Sequence, residues 1–146
     1  MRDLYVRLRH DWNFSRTIED RFNNRILRAN GQASFQDTNN QNILIYRETG
    51  SFFDPIENAN QFFRSYRYIF KDDKIDIFFA DGPSTGQIFH SLYSKQNPYF
   101  TSNTHLCGDD IYDGLYHFNN DNALVIHYKA TGPHKNYEIV TDYSRV

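Results

Sequence analysis

Cysteine, methionine and tryptophan occur once each in this chain, and proline only four times. The lone Cys107 excludes an internal disulfide, and a reducing, cytoplasmic setting fits a chain that relies on none. No apolar run approaches the roughly 20 residues that a membrane span needs. The opening MRDLYVRLRHDW is charged throughout and has no uninterrupted apolar stretch, so no secretory signal is expected there. An excess of one charge is missing too. The formal net charge is -2, which supplies no general attraction for nucleic acid or an anionic membrane. Neither is an expected partner. Alanine is sparse, which speaks against a helical bundle. The Gly-Pro-Ser-Thr-Gly stretch from Gly82 lacks the lysine and the strand-to-helix setting of a phosphate loop.

What the chain does have is aromatic. Phenylalanine occurs 13 times and tyrosine 11 times, 17% of residues with the tryptophan. Such side chains favour pleated, half-buried surfaces. At 146 residues there is enough chain to bury a core without staples, and one domain, 1–146, is expected.

One helix is predicted, over 1–11, where Leu4, Leu8 and Trp12 fall four apart beside Tyr5. It would cap one end of the fold. From there the period becomes two. Phe14, Arg16 and Ile18 share a face, as do Gly31, Ala33 and Phe35. Leu44, Tyr46, Glu48 and Gly50 form a third row, and Phe62, Arg64, Tyr66, Tyr68 and Phe70 a fourth. Further strands are predicted at 75–79, 88–93, 112–118, 124–131 and 135–143, with an irregular loop over 94–104. No second helix is available for a crossover, so the strands should be antiparallel. The expected fold is all-β: a closed antiparallel up-and-down barrel of eight to nine strands with a short N-terminal helix. Closure removes exposed edges, and a barrel of about eight strands holds a filled core or one small ligand. A two-sheet sandwich is the alternative.

Charges sit on faces that should be buried. Arg16 lies between Phe14 and Ile18, and Glu48 between Tyr46 and Gly50. A buried charge is costly unless paired or solvated. These two therefore pair with each other, hold a ligand, or face a wet lumen. A second cluster is His105, Cys107, Asp109, Asp110 and Tyr112. Zinc ligation and a Cys–His nucleophile pair are conceivable from the residue types, but a second cysteine and any oxyanion element are lacking. The plainer reading is a buried thiol, a turn carboxylate and a packed ring, with ligand lining as the other use. His90 stands on a strand where either parity could point inward, and Lys135 follows the Gly132–Pro133 break at a plausible rim. Trp12 should meet the last strand, with Arg145 stacked on its indole if first and last strands pair.

A series of short motifs runs in order through the chain: Trp12 with Phe14-Ser15-Arg16, then Gly31-x-Ala33-x-Phe35, Tyr46-x-Glu48-x-Gly50 and Arg64-x-Tyr66-x-Tyr68. Phe89-His90 follows, then His105-x-Cys107-x-x-Asp110-x-Tyr112-x-Gly114 and Gly132-Pro133-x-Lys135-x-Tyr137. The series resembles a bacterial and fungal family known as domain of unknown function 6314. The resemblance implies a lipocalin-like barrel and brings no established reaction or cofactor. It implies that Arg16, Tyr46, Glu48, Tyr66, His105, Cys107, Asp110, Tyr112 and Lys135 belong to the family pattern. Phe70 and Tyr128 stand where the pattern would lead one to expect Trp.

The leading expectation is a barrel that binds a small ligand, anionic or amphipathic, in its lumen. Arg16 would anchor the anion and Tyr46, Tyr66 and Tyr112 would form hydrogen-bonding walls, with Glu48, His90, His105, Cys107, Asp110 and Lys135 as further lining. An isomerase or hydrolase using His105 or Asp110 as base is a second expectation. A filled, partner-binding module, including a homodimer, is a third. No metal or cofactor is expected.

Overall fold

The computed structural model describes residues 2–53, 60–96, 99–102, 105–107 and 109–146; side chains are described outside 95–108. Helix α1 (Arg2–Leu8) is followed by β1 (Asp11–Asp20), β2 (Arg25–Asp37), β3 (Ile43–Phe53), β4 (Gln61–Phe70), β5 (Lys74–Phe79), β6 (Ile88–Gln96), β7 (Tyr99–Ser102), β8 (His105–Cys107), β9 (Asp110–Asn120), β10 (Ala123–Gly132) and β11 (Lys135–Arg145). Every pairing is antiparallel. Neighbours run β10–β11–β1–β2–β3–β4–β5–β6–β7–β9–β8, and β9 also pairs with β10. The result is a strongly curled sheet.

All nine expected strands are present. The predicted irregular loop is more ordered than its polar sequence suggested. It contributes β7, and β8 follows directly after it; both pair with β9. The helix is shorter than predicted. It stops at Leu8 because the backbone from Asp11 is already paired to Ser34 of β2.

Alternation sorts the strands into a concave and a convex face. In β1, Trp12 and Phe14 are buried and Asp11, Asn13, Ser15 and Thr17 are exposed. The rows predicted for β2, β3 and β4 all have the predicted face inward. The helix end of the concave side is filled by Leu8, Trp12, Leu44, Ile75, Leu92, Phe118 and Leu124, each at most 2% exposed. Helix α1 lies over that end. Tyr5 packs edge-on against Phe70 and donates to Asp37, and Arg7 lies over the Phe118 ring. Trp12 donates from Nε1 to the Leu8 carbonyl (3.1 Å), which ties helix to strand. Its ring meets Tyr143 edge-on at 6.5 Å, in place of the expected Arg145 stack. Arg145 pairs with Trp12 through backbone register but is exposed.

Two glycines shape the sheet. Phe14, Gly31, Gly50 and Phe62 stand opposite one another on four successive strands. The missing side chains let the Phe14 and Phe62 rings fold over the gap, 6.3 Å apart. A Cβ on Gly31 would collide with the Thr49 carbonyl oxygen. Glycine is therefore needed here for close approach.

Candidate functional site

Towards the end away from α1 the concave side is hollow. A cavity of about 340 Å³ opens there. Its walls come from β1 (Arg16, Ile18), β3 (Tyr46, Glu48, Phe52), β4 (Phe62, Arg64, Tyr66, Tyr68), β5 and β6 (Ile77, Phe89), β9 (Tyr112, Tyr116), β10 (Ile126, Tyr128, Ala130) and β11 (Tyr137, Ile139, Thr141, Tyr143). These are the inward positions of each strand, with one irregularity. A register shift opposite Ile77 and Phe78 inserts an extra residue in β6. Phe89 then reaches the cavity while the next residue, His90, is also buried. A bulge of this kind is how two consecutive side chains come to share one face.

The cavity wall holds three polar groupings. In the first, Arg16 donates from Nη1 to Oε2 of Glu48 (2.7 Å), from Nη2 to Oε1 (2.9 Å) and from Nε to Thr141 Oγ1 (2.8 Å). Tyr46 donates to Glu48 Oε1 at 2.6 Å and shares a 2.9 Å hydrogen bond with Tyr143. The guanidinium also lies over the Phe14 and Phe62 rings, at 4.7 and 5.7 Å. Burial works to lower the Arg16 pKa, but the Glu48 hydrogen bonds and charge outweigh it and hold the group above its usual value. This fork-on-fork pair answers the question raised by two charges on inward faces: each neutralises the other.

The second grouping is a hydroxyl chain. Tyr68 and Tyr116 share a hydrogen bond of 2.7 Å, Tyr116 and Tyr128 one of 3.1 Å, and Tyr128 and His90 Nε2 one of 2.8 Å. Burial raises the pKa of all three phenols. The third grouping is at the rim. Lys135 donates to Tyr112 (2.8 Å) and pairs with Asp110 (3.2 Å). Its pKa is raised by the Tyr112 hydrogen bond first and Asp110 second.

Of the sequence-predicted residues, Arg16, Tyr46, Glu48, Tyr66 and Tyr112 line the cavity together. His90 does not line the cavity itself; it hydrogen-bonds Tyr128 and packs edge-on against Phe89, two rings that do. Asp110 and Lys135 stand beside Tyr112 at the rim and are committed to each other. His105 and Cys107 are placed as backbone, opposite Tyr112 and Asp110 in register; their side chains lie outside the described residues. Sequence reasoning missed Phe89, Tyr116, Tyr128, Tyr143 and above all Arg64. Arg64 was visible on the same alternating row as Tyr66 and Tyr68, and that parity was the signal. No group of three or more His, Cys, Asp or Glu among the described residues is arranged to hold a metal ion. No described helix is long and apolar enough to cross a membrane.

A curled antiparallel sheet, plugged by a helix at one end and hollow and aromatic at the other, defines a protein of the β-barrel class. The chain belongs to the family of unknown function DUF6314, whose sequence model matches residues 8–145. Its fold is similar to that of the S-type phycobiliprotein lyase CPES from Guillardia theta, with a TM-score of 0.73 at 8% identity, covering 99% of this chain and 92% of that one. It is also similar to a fluorescence-activating β-barrel designed de novo. That match has a TM-score of 0.52 at 10% identity and covers both chains fully. No curated protein matches the chain.

Proposed function

We propose that this protein binds a small molecule with a flat, largely apolar body inside the concave cavity. The observation that carries the reading is the cavity itself. It is about 340 Å³, within the range of small-molecule sites, and is walled mainly by aromatic rings with a few convergent polar groups. Those rings are held by one another. Tyr66 and Phe89 stack at 5.4 Å with planes 17° apart, and Phe89 and Tyr128 lie 5.6 Å apart. A preformed wall of this kind loses little freedom when a flat ligand enters.

In this reading the sheet is a closed, lipocalin-like barrel and the chain one domain. The pairing of β9 with both β7 and β10 supports closure, because it gives the sheet no free edge between them. The likeness to a phycobiliprotein lyase and a fluorescence-activating barrel supports a ligand in the hollow by analogy of fold. A cytoplasmic location goes with the single cysteine. An enzyme with Asp110 as base is less well supported, because Asp110 is engaged with Lys135 and does not line the cavity.

The test is binding of a neutral fluorescent probe, N-phenyl-1-naphthylamine, to the wild type and to Ile139→Trp, which fills the cavity from β11. Saturable, micromolar binding by the wild type and its loss in the variant are expected. No saturable binding by the wild type, with native mass spectrometry of fresh protein giving the bare chain mass, would overturn the reading.

A further inference from the structure

The polar side chains of the cavity wall are almost all spoken for. Arg16, Glu48, Thr141, Tyr46 and Tyr143 satisfy one another. Tyr68, Tyr116 and Tyr128 form the hydroxyl chain. Lys135 donates to Tyr112, and the nearness of Tyr112 adds to burial in raising the pKa of Tyr137. The lining side chains Arg64 and Tyr66, neighbours on one row, have no hydrogen-bond or ion-pair partner among the described residues. They are two apart on β4, so both project into the concave side. Arg64 also stands opposite Glu48 in register, but Glu48 is bound by Arg16 and Tyr46 and forms no ion pair with Arg64.

Charge follows the same pattern. Among the described residues, the charged groups lining the cavity are Arg16, Glu48 and Arg64. The first two cancel at 2.7 Å, which leaves one positive charge at the exposed position nearer the mouth. Tyr66 is fixed by packing alone. Its ring contacts Tyr46, Phe79 and Phe89 at 5.9, 5.8 and 5.4 Å. Its hydroxyl is thus held in place with its donor unused.

We infer that the ligand carries an oxyanion, and that Arg64 and Tyr66 receive it at the cavity mouth while its aromatic body lies on the Tyr66, Phe89 and Tyr128 rings. This deepens the reading above and rests on it. It also moves the anion contact from Arg16, where the sequence put it, to Arg64. A guanidinium and a phenol supply the forked and single donors that a carboxylate or sulfonate accepts. Arg64 is exposed, so its charge is not a buried one.

The experiment compares two probes that differ by one sulfonate: neutral N-phenyl-1-naphthylamine and 8-anilinonaphthalene-1-sulfonate. The wild type should prefer the sulfonate by about tenfold, the worth of a hydrogen bond to a charged group. Arg64→Gln should abolish the preference by weakening the sulfonate probe far more than the neutral one, and Tyr66→Phe should reduce it several-fold. Arg64 is exposed, so the variant should melt with the wild type. A wild type that binds both probes equally overturns the oxyanion inference and leaves the cavity reading standing. A sulfonate preference that survives Arg64→Gln overturns the assignment to Arg64. Failure of both probes to bind the wild type sinks the cavity reading, and this inference with it. Displacement of the sulfonate probe by 1-naphthoate but not by 1-naphthamide would extend the class to carboxylates; failure to displace restricts it to sulfonate-like groups.

Discussion

Replacing Glu48 with Gln keeps the shape of the side chain and removes its charge. Glu48 is 4% and Arg16 15% exposed at the side chain, and they meet through two hydrogen bonds of 2.7 and 2.9 Å. Arginine does not shed its proton at accessible pH, so the variant must fold around a guanidinium with no counter-charge. Breaking a buried pair from one side costs about 3–5 kcal/mol, against a total stability of roughly 5–15 kcal/mol for a domain. With a urea slope near 2 kcal/mol per molar, the midpoint should fall by about 1.5–2.5 M. Trp12, the only tryptophan and fully buried, gives the fluorescence signal. The double variant Arg16→Met, Glu48→Leu removes both charges and should recover most of the loss, since a buried pair and an apolar replacement are often close in energy. Salt at about 0.5 M should leave the Glu48→Gln deficit nearly intact, because buried pairs are poorly screened. A single variant within about 1 kcal/mol of the wild type, or a double variant worse than either single, would refute the reasoning.

Two further outcomes follow from the same interior. Burial raises the pKa of Tyr66 and Tyr143 to about 12 and holds Tyr68 and Tyr128 well above their ordinary value. Folded values above unfolded ones mean that this stability is complete below about pH 10 and is lost as pH climbs through the folded values. Tyrosinate absorbance should therefore rise together with loss of far-UV circular dichroism, and independent titration of all the tyrosines near pH 10 in folded protein would contradict it. Gly31→Ala drives a Cβ into the Thr49 carbonyl and should cost about 2 kcal/mol or more by thermal melting. Gly82→Ala meets open space and should cost only about 1 kcal/mol for its positive φ. Equal losses at the two sites would remove the packing role given to Gly31.

Alternation is a local property, and it made much of the concave face readable. Phe14, Arg16 and Ile18 in β1, Tyr46 and Glu48 in β3, and Tyr66 and Tyr68 in β4 all point where a period of two puts them. The same rule failed at His90. The bulge there depends on how β5 and β6 register, so parity alone could not orient it. It failed again over 94–104, where β7 owes its pairing to β6 and β9 rather than to any apolar rhythm of its own. The allocation of the two lumen arginines was only partly legible: the Arg16–Glu48 pair was one of the readings left open, and Arg64 was passed over. Arg16 and Arg64 look alike along the chain, each in a row of aromatics.

The sequence by itself determined the β class, the inward rows and the presence of two opposite charges on them, because period and residue type act within a few residues. Tertiary structure alone decided which arginine is spent and which is available. Glu48 has two oxygens, Arg16 reaches both across 32 residues of chain, and Arg64 on the neighbouring strand is left facing the cavity. That allocation is a matter of strand order and of angstroms, which no single strand contains.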